Sequence, residues 1–144
     1  MDKIKYFNNT ADILYKKARL GIEIRVKKDN RLGRYSAHVQ YYNCDCCAKP
    51  FYLFRYNEKE LKDATKVEIL MTILHEFGHI KLRHKGETQR IQKEYSAEKY
   101  AMKMLKKYYP KKYKTALIYL AGYESHSDPV YRKAFTRLYK ELHD

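Results

Sequence analysis

Apolar side chains recur along this chain with two different periods, and the change from one to the other divides it. Ile13, Leu14, Ala18 and Leu20 share one side of an amphipathic helix of about three turns, for which Asn9 or Thr10 offers a cap. Residues 21–27 then alternate apolar and polar, residues 29–33 supply Asp, Asn and Gly for a turn, and residues 34–41 alternate again. This predicts a β-hairpin. A short aromatic run at 51–56, following Pro50, predicts a third strand. Beyond it only helical periodicity remains. Thr65 and Glu68 match a capping box that opens an apolar run, and Gly86 stands where that run is expected to stop. Further helices are expected over about 89–108, ending before Pro110, and over about 112–123. A last one, capped by Asp128-Pro129, carries Val130, Ala134, Phe135, Leu138 and Leu142.

Strands first and helices afterwards predict an α+β domain with a small sheet of about three strands, an N-terminal helix and a helical lobe. A length of 144 residues fits one domain over 1–144, and 44% hydrophobic with 15% aromatic residues excludes wholesale disorder. No run approaches the roughly 18 apolar residues of a spanning helix and the N-terminus has no apolar signal region, so no membrane partner and a cytoplasmic location are the expectations. Lys and Arg number 31 against 17 Asp and Glu, a net charge of +14 that favours an acidic partner without implying chemistry. Lysines between Lys99 and Lys114 offer a surface for nucleic acid, although such residues more often form the solvated side of a helix. Cys44, Cys46 and Cys47 are too closely spaced for a disulfide framework or a paired zinc site and read as reduced thiols in a loop.

The segment that carries chemistry is His75-Glu76-Phe77-Gly78-His79, an H-E-x-x-H match. At about 100° per residue, Ile69, Leu70, Ile73, Leu74, Phe77 and Ile80 form an apolar stripe, with His75 and His79 about 40° apart on the other side. Two imidazoles one turn apart can reach a single metal ion. Glu76, about 100° round from His75, flanks that point and suits a base acting on water there. Gly78 either lets another backbone approach or merely eases helix packing. Without a metal, the same residues read as two solvated histidines and a surface carboxylate.

The following helix puts Glu94 and Glu98 on the same side as Ile91, Ala97, Ala101 and Leu105, with Lys99, Lys103, Lys106 and Lys107 opposite. Carboxylates on a packing face need cations or donors opposite them. If the two helices form a hairpin about Gly86 and Glu87, positions summing to about 173 face each other, which sets His79 against Glu94 and His75 against Glu98. His75, His79 and Glu94 then surround one point suited to Zn²⁺, one ion per chain, and Glu98 orients an imidazole from behind. His84 falls on the apolar side of the first helix, His38 on a strand, and His126 is a candidate donor to a developing oxyanion.

H-E-F-G-H followed by E-Y-S-A-E-K-Y-A resembles the H-E-x-x-H plus E-x-x-A signature of gluzincin metallopeptidases, and the short spacing resembles the ImmA/IrrE branch. The resemblance spans about 65–109. It implies a minimal zincin-like core with a C-terminal helical lobe, His75, His79 and Glu94 as zinc ligands, and Glu76 as general base. It also implies a protein substrate such as a helix-turn-helix repressor. Glu98 stands where the family usually has Asp or Asn. The expected activity is zinc-dependent hydrolysis of a peptide bond. Its rivals are a zinc-containing module that grips a partner without cutting it and a basic nucleic-acid-binding domain with an incidental motif.

Overall fold

The computed structural model describes residues 2–33, 35–43, 49–86 and 88–143. Helix α1 (Lys3–Ala18) is followed by strands β1 (Glu23–Lys28), β2 (Ala37–Tyr42) and β3 (Phe51–Tyr56). Helices α2 (Glu58–Lys62), α3 (Lys66–Lys81), α4 (Arg90–Tyr108) and α5 (Pro110–Ala121) come next. A 3₁₀ turn at Gly122–Ser125 then leads into α6 (Pro129–His143). The architecture is the expected α+β layout, a three-stranded mixed sheet with a helical lobe at its C-terminal side.

Helix α1 starts well before the predicted cap. The Asp2 carboxylate accepts from the Ile4 and Lys5 amides and opens the helix, while Thr10, expected near its start, is buried in mid-helix beside Phe7 and Leu14. The decisive signal was thus an ordinary capping Asp one residue from the end of the chain.

The hairpin does not form. The strand order is β1-β3-β2, with β3 parallel to β1 and antiparallel to β2. A central strand hydrogen-bonds on both sides, and that place falls to the most apolar strand, whose Tyr52 and Phe54 are fully buried. Strand β1 is charged and largely exposed, which suits an edge. The loop between β1 and β2 therefore bridges the end of β3, held there by Asn57. This buried side chain donates to the Gly33 carbonyl at 2.8 Å, and its amide donates to the Ser36 carbonyl at 2.8 Å.

Helix α3 is the centre of the molecule. Its capping box is present, with the Glu68 amide 3.2 Å from Thr65 Oγ1 and the Thr65 amide 3.0 Å from Glu68 Oε1. Ile69, Leu70, Ile73, Leu74, Phe77 and Ile80 are all buried. One side meets the sheet and α1, through Phe77 on Phe54 and Phe54 on Phe7, and the other side meets α4. The helix stops at Lys81, short of Gly86, because Arg83 turns into the left-handed region at φ 57°. His84 consequently lies beyond the helix and not on its apolar side. Helix α5 begins at Pro110, two residues earlier than expected, since proline is tolerated in a first turn. Asp128 caps α6 as expected, accepting from the Val130 amide at 2.9 Å. The short α2, capped by Asn57, was not foreseen.

Candidate metal centre

Helices α3 and α4 pack as an antiparallel pair joined by the segment containing Gly86. Ala97, Glu98, Ala101 and Leu105 of α4 are buried against this interface, whereas Ile91, in the first turn, is 39% exposed. Ile91 was expected on the packing side, but α3 has already ended where it sits. Lys103, Lys106 and Lys107 lie on the exposed side of α4.

This packing draws three side chains to a point. His75 Nε2 is 2.7 Å from Glu94 Oε2, His79 Nε2 is 3.3 Å from the same oxygen, and the two Nε2 atoms are 3.1 Å apart. Tetrahedral bonds of about 2.0–2.2 Å to a central ion set donor atoms about 3.3–3.6 Å apart; the His79–Glu94 side has that length, and the two shorter sides would have to open to admit an ion. His75, His79 and Glu94 therefore form a largely buried group that can hold a metal ion. The residues that were expected to face each other do so.

Each ring has a second contact behind it. His75 Nδ1 is 3.3 Å from Oε1 of the buried Glu98, and His79 Nδ1 is 2.8 Å from His84 Nδ1. Phe135 of α6 meets the His75 ring edge to face at 5.7 Å. Burial pushes the His75 pKa down, but Glu94 and Glu98 outweigh it and hold the ring well above its ordinary value. The same burial would raise Glu94, yet His75 and His79 hold it well below the usual carboxylate range. Burial, reinforced by His79 and Lys93, brings His84 down to about 4. A proton on His75 supplies positive charge between Glu94 and Glu98, and a cation bound at the triangle would take its place.

Glu76, the residue after His75, is buried at 9% exposure. Together they line an open cleft of about 460 Å³ whose walls include Ser36 and Ala37 at the start of β2, Tyr123, His126, and Tyr131 with Phe135 from α6. Tyr123 stacks on His126 at 5.1 Å, and His126 meets Tyr131 at 5.7 Å. His126 Nδ1 accepts from the Asp128 amide at 3.0 Å, which leaves its proton on Nε2. Burial first, then the Glu94 and Glu76 charges, push Tyr131 far above the ordinary phenol value, so its hydroxyl stays a donor. A separate, more open depression of about 610 Å³ along α6 is lined by Arg132, Lys133, Arg137, Lys140, Glu124 and Glu141 and contains none of these groups.

His38 lies on the sheet beside Arg55, 3.3 Å away, and is not part of the site. Cys44, Cys46 and Cys47 lie outside the described residues. Sequence reasoning missed His84 and Tyr131. A histidine five positions beyond a motif histidine is a signal for the first only if the helix is known to end between them. For Tyr131 there was no local signal, because its place depends on how α6 docks. Among the described residues no helix is long and apolar enough to cross a membrane. In comparisons with known proteins, the chain matches no family model, no curated protein and no solved structure.

Proposed function

We propose that this protein is a zinc-dependent endopeptidase, similar to the ImmA/IrrE branch of the gluzincins, with one Zn²⁺ held by His75, His79 and Glu94. The observation that carries this reading is the triangle of donors at 2.7–3.3 Å, one member of which, His75, lines an open cleft together with Glu76. Two nitrogens and one carboxylate oxygen are a donor set that zinc accepts while keeping a fourth position free. When bound, zinc supplies Lewis acidity and lowers the pKa of water in that position to about 7.

The remaining steps belong to the chain itself. Glu76 takes the proton of the attacking water and later delivers it to the leaving amine. Tyr131 and His126, donors on the far wall, hydrogen-bond the carbonyl oxygen as it gains charge. Strand β2 pairs with β3 on one side and ends the sheet on the other, and its first residue, Ala37, lines the cleft with the preceding Tyr35 and Ser36. An extended peptide added to that edge would run past Glu76, its main chain held by strand hydrogen bonds and its side chains sorted by the aromatic wall. The substrate is a protein, and the motif resemblance favours a helix-turn-helix repressor.

Cleavage of a candidate repressor by the wild type and by Glu76→Gln, each with zinc content measured, tests the proposal. The amide keeps the shape of the carboxylate but cannot accept the proton, so a zinc-loaded variant slower by about 10²–10⁴-fold is expected. Equal rates would remove Glu76 as the base. Zinc-loaded protein that binds the repressor without cutting it would point instead to a regulatory binding module.

A further inference from the structure

We propose that His84 is the positioning residue of the metal centre, holding His79 in the tautomer and ring plane that metal binding requires. This inference rests on the zinc reading above. His79 directs Nε2 into the donor triangle and Nδ1 away from it, where it meets His84 Nδ1 at 2.8 Å. A neutral imidazole that gives its Nε2 lone pair to a metal must carry its proton on Nδ1. His79 is therefore the donor in this contact and His84 Nδ1 the acceptor, with the His84 proton on Nε2. His75 has the equivalent partner in Glu98, so each ring is held from behind, one by a carboxylate and the other by an imidazole.

The backbone that presents His84 is unusually well fixed for a connection between helices. The His84 amide donates to the His79 carbonyl at 2.9 Å, and the His84 carbonyl accepts from the buried Tyr52 hydroxyl at 2.8 Å. Between them Arg83 holds the left-handed conformation, and its guanidinium donates to the Ile80 carbonyl at 2.6 Å and the Leu20 carbonyl at 2.8 Å. Gly21 leaves room for this group, since a Cβ there would stand 3.3 Å from an Arg83 nitrogen. Strand β3, the end of α3 and the connection from α1 to β1 thus converge on one chain reversal, and its product is an imidazole facing the rear nitrogen of His79.

The test compares the zinc affinity of the full-length wild type, His84→Ala and His84→Asn by competition with a chromophoric chelator, with the melting temperature of each metal-free protein. The amide oxygen of Asn reproduces the acceptor at Nδ1, whereas Ala removes it. The expected result is a loss of about 10–100-fold in zinc affinity for Ala and recovery of most of it for Asn, with similar metal-free melting temperatures. Unchanged affinity in the Ala variant would overturn the proposal and leave the zinc reading standing. Equal losses in both variants, accompanied by equally lowered melting temperatures, would reduce His84 to a structural residue. A wild type that binds no zinc would overturn both readings. If the Ala variant fails to fold, ¹⁵N spectra of the zinc-loaded wild type decide. A proton on Nδ1 of His79 with the metal on Nε2 is expected, and the reverse assignment overturns the proposal.

Discussion

A Cβ added to Gly78 would stand 2.6 Å from the carbonyl oxygen of Ala97 and 2.9 Å from its Cα. The backbones of α3 and α4 therefore touch beside the triangle of His75, His79 and Glu94. Glu94 lies three residues before Ala97 and Glu98 one residue after it, so this contact sets how far both carboxylates reach toward the histidines.

Gly78→Ala is accordingly expected to push the two helices apart. The obstacle is backbone, not the end of a flexible side chain, so the cost belongs at or above the upper part of the roughly 1–3 kcal/mol range for overpacking. Urea unfolding of the metal-free protein together with zinc titration checks this. A variant with wild-type stability and zinc affinity would mean that the contact is looser than described.

Glu94→Ala removes one of the three donors and leaves two histidines facing a half-empty, mostly buried space. Loss of stoichiometric zinc after dialysis is expected, together with loss of the stability that binding adds to the native state. Metal analysis and thermal melting with and without added zinc provide the measurement. Full occupancy in this variant would mean that the third donor lies elsewhere; Glu98, 3.3 Å from the rear nitrogen of His75, would supply it only if that ring turned over.

Tyr131→Phe keeps the ring that packs on Phe135 at 5.6 Å and removes only the hydroxyl. If this hydroxyl steadies the reacting carbonyl oxygen, kcat falls by about 10²-fold or more while KM and zinc content change little. An unchanged kcat on the natural substrate would transfer that role to His126, whose ring lines the same cleft.

How much was legible in the chain followed from the range of each interaction. Helices declare themselves through contacts three and four residues apart, so the Thr65–Glu68 capping box, the buried stripe of α3 and the Asp128 cap of α6 were readable without a fold. The H-E-x-x-H spacing sets two imidazoles on one side of a helix by local geometry alone. The facing register of α3 and α4 was readable too, because a short connection leaves an antiparallel pair little freedom to slide.

Other features were decided only in three dimensions. Which strand takes the centre of the sheet depends on competition for burial among all three, and Tyr52 and Phe54 win it from a position late in the chain. The end of α3 depends on the Leu20 carbonyl, 63 residues before Arg83, accepting the Arg83 guanidinium and so helping to hold its left-handed turn. His84 reaches His79 only because of that turn, and Tyr131 reaches the cleft only because α6 docks Phe135 against His75. Local periodicity therefore determined the longer helices, though not where α1 begins or α3 ends, and the two motif histidines. The shape of the cleft and the group behind His79 came from packing between distant segments, whose free energy is distributed over contacts that no short window of sequence contains.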